Sequence, residues 1–468
     1  MITIAGIRQA HKKESETMKK FHSLAETKFM KDLFICITAA FLIAAVCMPD
    51  RASMFTGLLQ ILSAPSKSAT SYFAVGGFAA TFLNIGLVAI ACLIIFFATK
   101  ATLNNVSFLA FILTISFGAW GINIINMWPP VLGVVLHAII RKEKLGTMVN
   151  TMLFGTGLAP LFSDLMIRYP HVEVVGFNIP GVVLALLLGC AVGYLLPAGL
   201  AYSPKVHKGF ALYSAALPVG MMAFFLNAAL YTTVGLEVPG AMDTLGVTSA
   251  VICNVFYCCL FGGCVIVAII MGCRFRTYWR LLTHHDVHDF SSYYGNSVFL
   301  MNMGMFGLFV LSYYNLIGAP FNGVTFGIIL CMVSICDSGA SPANVWPTML
   351  GYVVASLIFG GISKLVGGEF TMTINSQAIV VGLCYASGMC PISDHYGWRY
   401  GVLAAMMHYV LVSSVPVLHG GFCLYNGGFT ATMICLILVP KLEWFAKTKE
   451  ERIHHKHQKK LQKAAQNQ

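Results

Sequence analysis

GINIINMWPPVLG at residues 121–133 and GASPANVWPTMLG at residues 339–351 are the two stretches from which the architecture follows. Gly121, Asn126, Trp128, Pro129, Leu132 and Gly133 stand against Gly339, Asn344, Trp346, Pro347, Leu350 and Gly351, all at a shift of 218. The match extends outward without gaps. Residues 84–135 against 302–353 hold 15 identities in 52 positions, among them Asn84/Asn302, Gly86/Gly304, Asn104/Asn322, Phe108/Phe326 and Ser116/Ser334. The same shift carries 32–48 onto 250–266. With small offsets Asn150 meets Asn375, Gly157-Leu158 meets Gly382-Leu383, and Ser163-Asp164 meets Ser393-Asp394. His207-x-Gly-Phe-x-Leu-Tyr213 meets His419-x-Gly-Phe-x-Leu-Tyr425. Chance identities between two apolar chains fall on Leu, Val and Ala. These fall on Asn, Trp, Pro, Gly, His and Asp, so the chain is an internal duplication.

The duplicated unit is made for lipid. Of 468 residues, 57% are hydrophobic and 10% charged, with mean hydropathy +0.77; soluble domains are about 25% charged. A hydrocarbon core needs about 20 apolar residues per helix. Runs of that kind occur near 32–48, 72–98, 106–125, 147–166, 174–197 and 209–234, then near 246–272, 293–314, 323–340, 347–366, 372–390, 399–418 and 420–440. A shorter stretch, 129–140, follows Trp128-Pro129-Pro130 and reads as a half-helix or one arm of a re-entrant hairpin. The sequence therefore predicts an all-α integral membrane protein. Its two inverted-topology repeats have about seven membrane segments each (5–7), with interrupted or re-entrant helices. The expected divisions are a basic segment 1–31, repeat 1 over 32–235, an external link 236–249, repeat 2 over 250–440 and a basic tail 441–468.

Inversion follows from charge. The net +11 is largely terminal, in Arg8, Lys12, Lys13, Lys19, Lys20, Lys28 and Lys31, and in Lys447, Lys449, Arg452, Lys456, Lys459, Lys460 and Lys463. Basic termini beside membrane spans obey the positive-inside rule rather than marking nucleic-acid binding, which places both in the cytoplasm and the chain in the cytoplasmic membrane. The link from Glu237 to Asp243 is acidic and reads as external, whereas Arg274, Arg276 and Arg280 read as internal. An internal start and an external mid-point require an odd number of spans per half, so the second copy is inverted. Arg51, Lys67, Arg168 and Lys364 fall outside in this scheme, against Arg141, Lys142, Lys144, Lys205 and Lys208 inside. The first apolar run begins near Asp32 without a processing site and reads as a retained span. The 15 cysteines lie mostly inside apolar runs, without a C-x-x-C pair, and read as packing residues.

Inverted repeats place a site at their interface near the midplane, commonly built from interrupted helices. Asn126-x-Trp128-Pro129-Pro130 and Ser341-Pro342-Ala343-Asn344-x-Trp346-Pro347 are the candidate breaks, because proline lacks the N–H and clashes with the preceding turn. The alternative is an interfacial loop with a Trp anchor and a helix-starting Pro. Asn150 and Asn375 each open an apolar helix, as caps or as pore-lining groups. His207 and His419 either contact solute at a pore mouth or cap the preceding helix; Phe210 and Phe422 line an apolar wall. Asp164 and Asp394 are loop carboxylates or, if buried, proton relays. Asp337 aligns with Ala119, an asymmetry suited to a coupling-ion or proton site. Walker A, G-x-S-x-G and H-E-x-x-H motifs are absent, and no cofactor or metal is expected. The His454/His455/His457 tail reads as a solvated basic tail.

The paired halves, the N-x-W-P-x-x-L-G run and the closing H-x-G-F-x-L-Y segment resemble an uncharacterised bacterial membrane family with a duplicated domain of unknown function. A looser likeness is to urea transporters, with two inverted halves around a central pore. Their L-P-x-x-T-x-P-F signature is replaced here by Leu212-Tyr213-Ser214-Ala215 and Leu424-Tyr425-Asn426-Gly427, so the likeness implies architecture alone.

The expected function is transport of a small polar solute, channel-like or coupled to protons or sodium. Its site residues are Asn126, Trp128, Asn344, Trp346, Asn150, Asn375, His207, His419, Phe210 and Phe422, with Asp337, Asp164 and Asp394 as coupling candidates. The lipid bilayer and the solute are the expected partners; the oligomeric state stays open. Two other readings stand beside it: an intramembrane or lipid-processing enzyme using His284/His285/His288, and a non-transporting assembly or sensor protein.

Overall fold

Long apolar runs can satisfy their backbone in lipid only as helix or closed barrel, and helix is what forms. The computed structural model describes residues 4–67, 70–169, 176–237, 245–284, 288–445 and 451, with side chains between Leu24 and Trp444. The first half contains α1 (Ile4–Cys47), α2 (Met54–Ser63), α3 (Tyr72–Ala98), α4 (Asn105–Ser116), α5 (Trp128–Arg141), α6 (Leu145–Gly155), α7 (Ala159–Arg168), α8 (Ile179–His207) and α9 (Ala216–Asn227). The second contains α10 (Ala250–Ile270), α11 (Phe275–Thr283), α12 (Phe290–Tyr294), α13 (Asn296–Leu316), α14 (Gly323–Val333) and α15 (Pro342–Leu365). It ends with α16 (Gln377–Ser387), α17 (Cys390–His395), α18 (Trp398–Val412), α19 (Val415–Leu418) and α20 (Asn426–Phe445).

Among the described residues, eight helices are long and apolar enough to cross a membrane: Leu24–Cys47, Tyr72–Ala98, Leu145–Arg168, Ile179–His207, Ala216–Thr233, Ala250–Ile270, Asn296–Leu316 and Pro342–Leu365. Several runs of the sequence are shorter as helices than as apolar stretches. The run at 106–125 stops being α-helical after Ser116, and that at 323–340 after Val333. The run at 147–166 is interrupted at Thr156–Leu158, and that at 372–390 starts at Gln377 and ends at Ser387.

The repeat identities have local causes. Asn104 Oδ1 accepts from Ser107 N at 3.1 Å and caps α4; Asn322 Oδ1 accepts from Thr325 N at 3.0 Å and caps α14. Gly77 (φ +86°) kinks α3 where Gly295 (φ +90°) separates α12 from α13, a backbone region that side chains with Cβ avoid. Past the first kink, the Asp50 carboxylate accepts from Phe78 N (2.7 Å) and Ala79 N (3.0 Å).

The halves touch reciprocally. Ser71 Oγ, just before α3, accepts from Gly323 N at the start of α14 (2.9 Å). In exchange, Asn105 Nδ2 at the start of α4 donates to His288 O, just before α12 (3.0 Å). Helix α3 thus starts beside the segment that follows α13, and α12 starts beside the segment that follows α3. A second exchange joins Leu212 N to Gly388 O (2.9 Å) and Leu424 N to Gly157 O (3.0 Å). Helices α4 and α14 lie antiparallel, Gly323 against Ala119 and Gly327 against Ser116.

Each half also doubles back. Gly146, at the start of α6, packs on Thr99 and Ala101 ahead of α4, so α4 and α5 together return to their starting level. Likewise Asn322 Nδ2 donates to Gln377 Oε1 (2.6 Å) and Gln377 Nε2 to Thr325 Oγ1 (3.3 Å), which sets the starts of α14 and α16 side by side.

Candidate functional site: broken helices between the halves

The turn between α4 and α5 and the turn between α14 and α15 leave carbonyls that no helix uses. A buried asparagine in each half takes them. Asn84 Nδ2, on α3, donates to Gly118 O (2.8 Å) and Ile122 O (2.9 Å). Asn302 Nδ2, on α13, donates to Cys336 O and Ala340 O, both at 2.9 Å. Both Oδ1 atoms are buried without a hydrogen bond to the described protein. The sequence carried the signal, since Asn84 and Asn302 are a repeat identity, but it did not name their partners.

Asn126 and Asn344 make the next contacts of the same turns. Asn126 Oδ1 accepts from Asn123 N (2.8 Å), and its Nδ2 donates to Gly121 O (2.9 Å) and Ser163 Oγ (2.8 Å). Asn344 Oδ1 accepts from Ser341 N (2.9 Å), and its Nδ2 donates to Gly339 O (2.8 Å). Each is occupied within its own half. Trp128 Nε1 donates to Ile124 O at 2.7 Å. Trp346, 39% exposed, packs against Trp398 of the same half with ring centroids 5.9 Å apart.

The H-x-G-F-x-L-Y segments are non-helical stretches leading from α8 to α9 and from α19 to α20. His207 Nδ1 accepts from Ala211 N (3.3 Å), which leaves Nε2–H to donate to Ser214 Oγ (2.8 Å). His419 uses the other tautomer: Nδ1–H donates to Asn426 Oδ1 (2.5 Å), and Nε2 is buried without a hydrogen-bond partner among the described residues. Phe210 stacks on Tyr396 (5.5 Å), beside His395. Phe422 stacks on Tyr231 (5.1 Å), in the π-helical turn Ala228–Thr233 that ends α9. Helix α8 starts at the Arg168 end, where Asn178 N meets Met166 O, and runs 29 residues to His207. Phe422 and Phe210 therefore lie at opposite ends of the molecule.

From those ends the segments reach the interior. Tyr213 OH donates to Cys331 O (3.1 Å), and its ring lies 5.2 Å from that of Tyr385, whose hydroxyl donates to Leu424 O. Tyr425 packs on Phe117 (5.3 Å) and against Gly157, just as Tyr213 packs against Gly388. Trp120 Nε1 and the Tyr425 hydroxyl are buried there without hydrogen bonds among the described residues. His408, which the sequence reading missed, takes Tyr352 OH on Nδ1 (2.7 Å) and donates from Nε2 to Gly427 O (2.8 Å).

The three candidate coupling carboxylates are buried. Asp164 pairs with Arg168 (3.1 Å) and accepts from Tyr231 OH (2.7 Å), while Arg168 Nη2 and Tyr169 OH both reach Glu237 O. Lys67, in the link ahead of α3, is drawn below the usual lysine range by burial, against the opposing pull of Asp164. Asp394 is buried on α17. Asp337 lies in the α14–α15 turn and accepts from Ser291 N (2.7 Å) and Ser291 Oγ (2.8 Å).

Asn150 does not open its helix: α6 begins at Leu145, five residues earlier, because Gly146 seats against Thr99. Its Oδ1 is buried without a hydrogen bond among the described residues. Asn375 is exposed and accepts from Thr373 Oγ1 (2.7 Å), and Ser376 takes the cap position. Of the histidine cluster, His284 Nδ1 meets Tyr294 OH (2.8 Å), His288 offers its backbone to Asn105, and His285 lies outside the described residues. Among the described residues, no three His, Cys, Asp or Glu side chains are placed to hold a metal ion.

Residues 50–232 and 272–444 match one family model, described as a protein of unknown function (DUF1576). The chain belongs to the DUF1576 family. The two matched regions fall one in each half of the duplication. No curated protein and no solved structure matches the chain.

What this DUF1576 chain offers chemically is a buried, uncharged set of hydrogen-bonding atoms beside broken backbone. Trp120 and Tyr425 bring donors; Asn84 and Asn302 bring acceptors. The ion pairs lie toward the ends, Asp164–Arg168 on one side and Lys208–Glu443 on the other, whereas the Asp337 carboxyl is buried in the α14–α15 turn itself.

Proposed function

We propose that this DUF1576 protein is a multipass transporter that moves a small polar, uncharged solute across the cytoplasmic membrane. The solute passes between two inverted-topology repeats. One observation carries the reading: helix interruptions from both halves meet in the buried interior, at 117–123, 156–158, 211–215, 388–389 and 422–425. Irregular backbone at membrane depth is tolerated only inside protein or along a cavity, and inverted-repeat transporters build their sites from it. The exchanged contacts Ser71–Gly323 and Asn105–His288 support a two-fold relation that reverses the second half. The returning pairs α4–α5 and α14–α15 support re-entrant hairpins, one per half, an architecture similar to that of urea transporters. The basic links at Arg141–Lys144 and Arg274–Arg280 support cytoplasmic termini.

Purified protein in proteoliposomes, tested with a panel of small amides, alcohols, amines and weak acids with and without a pH gradient, decides the matter. Uptake of at least one neutral solute is expected, weakened in Trp120→Phe and Tyr425→Phe, which remove a single donor each. Folded protein that moves no member of the panel sinks the proposal. Asp337→Asn separates carrier from channel, because an amide can keep both Ser291 contacts. Loss of gradient-driven accumulation with passive uptake intact marks proton coupling at Asp337.

A further inference from the structure

Helix α11 is anchored by Tyr278 and Leu281, which are buried, while Phe275 is 73% and Trp279 56% exposed with rings 6.2 Å apart. Around that aromatic pair stand Arg274, Arg276 and Arg280, all exposed, and none forms a salt bridge among the described residues. No acidic residue lies between Cys273 and His284. Beside the helix opens a cleft of about 560 Å³, lined by Thr277, Arg280, Thr283, His284, Tyr293 and Tyr294. Thr277, Arg280 and His284 follow at helical spacing, so they share one side of the helix. Two carboxylates lie near it: Asp394, buried on α17, whose charge acts on Tyr294, and Asp289, engaged by Ser292 N (3.0 Å) and Ser291 Oγ (3.3 Å). Burial pushes the Tyr294 hydroxyl up to about 12, so it stays a donor through the neutral range.

The duplication supplies a control. Helix α2 holds the equivalent place in the first half and also exposes apolar residues, Phe55 at 70% and Leu59 at 65%. Its ten residues include no Lys or Arg, Arg51 standing in the turn just before it. An apolar outer face thus belongs to the shared fold, whereas the arginines within the helix, Arg276 and Arg280, occur in α11 and not in α2.

We propose that α11 and its cleft form a binding site for the headgroup phosphate of an anionic phospholipid. Arg280, His284 and the two threonines face the phosphate, and Phe275 and Trp279 lie among the lipid chains at the bilayer boundary. Arginine suits a phosphate because its planar fork donates twice. Exposed Trp and Phe beside basic residues are the mark of an interfacial helix. A free phosphate has no chains to lay against the aromatic pair and so lacks half of the site. The inference rests on the protein being membrane-embedded and is independent of what it transports.

The test is lipid binding to the purified full-length chain in detergent, read by native mass spectrometry and by thermal unfolding. Phosphatidylglycerol should be retained and should raise the unfolding midpoint; phosphatidylcholine and inorganic phosphate should do neither. Arg280→Gln should weaken phosphatidylglycerol retention roughly tenfold, as expected for a charged hydrogen bond, and Arg276→Gln by about fivefold, as for one basic residue near an anionic surface. Trp279→Ala should weaken retention as well. Both arginines are exposed, so the lipid-free midpoint should match the parent in each. Equal retention of phosphatidylcholine, equal protection by inorganic phosphate, or undiminished phosphatidylglycerol binding in both arginine variants overturns the assignment.

Discussion

Asn84 and Asn302 each sit fully buried on a long helix and direct their amide hydrogens at carbonyls left open by a turn of the neighbouring hairpin. Removing such a donor strands its acceptors away from water, at on the order of 1–3 kcal/mol for each carbonyl. Asn84→Ala and Asn302→Ala should therefore both lower the thermal midpoint of the purified protein clearly. Asn84→Asp should be worse than Asn84→Ala at neutral pH, since a carboxylate would face two carbonyl oxygens. Parent-like midpoints in the two alanine variants would remove the clamp from the account. The pair was visible in the sequence as an identity between halves. Its task was not, because Gly118 lies 34 residues from Asn84 and no periodicity connects a side chain to a carbonyl at that distance. Asn126 shows the converse. Its position at a break was readable from Trp128-Pro129-Pro130, yet its bonds to Asn123, Gly121 and Ser163 appear only in the folded turn.

At the level of elements, hydropathy failed wherever a break is buried. Residues 117–122, FGAWGI, read as a continuation of the apolar run that begins near 106, because a turn packed inside protein needs no polar side chains to meet water. The helix stops there all the same, with the carbonyls of Gly118 and Ile122 handed to Asn84. The repeated H-x-G-F-x-L-Y segments were legible as motifs, but not as the connectors that carry Tyr213 and Tyr425 onto Gly388 and Gly157 of the other half. That contact predicts a coupled pair of substitutions. A Cβ on Gly157 would stand 2.1 Å from the Tyr425 ring, so Gly157→Ala forces the ring aside, at about 1–3 kcal/mol for an overpacked core site. In the Tyr425→Leu background the same substitution should cost much less. A double-mutant cycle on thermal midpoints reads the difference. Additive effects would mean that the ring and the glycine do not meet.

The whole molecule depends on how the two halves face the membrane. If they are inverted repeats, equivalent links must reach opposite aqueous phases. Lys144, between α5 and α6, and Glu369, between α15 and α16, are such a pair, and both are exposed. The reciprocal contacts of Ser71 with Gly323 and of Asn105 with His288 are those expected if equivalent helices start at opposite levels. Charge would then orient them, since Arg141, Lys142 and Lys144 are expected on the cytoplasmic face by the positive-inside rule. The experiment starts from a background in which the exposed cysteines Cys36, Cys47, Cys258 and Cys259 are replaced by Ser. In intact cells a membrane-impermeant maleimide should label Glu369→Cys, and Lys144→Cys should label only after permeabilisation. The reverse pattern would keep the inversion and exchange the two faces, contradicting the charge argument alone. Labelling of both from the same side would make the repeats parallel. A site built from exchanged breaks would then lose its symmetry, and the transport proposal would lose the geometry on which it stands.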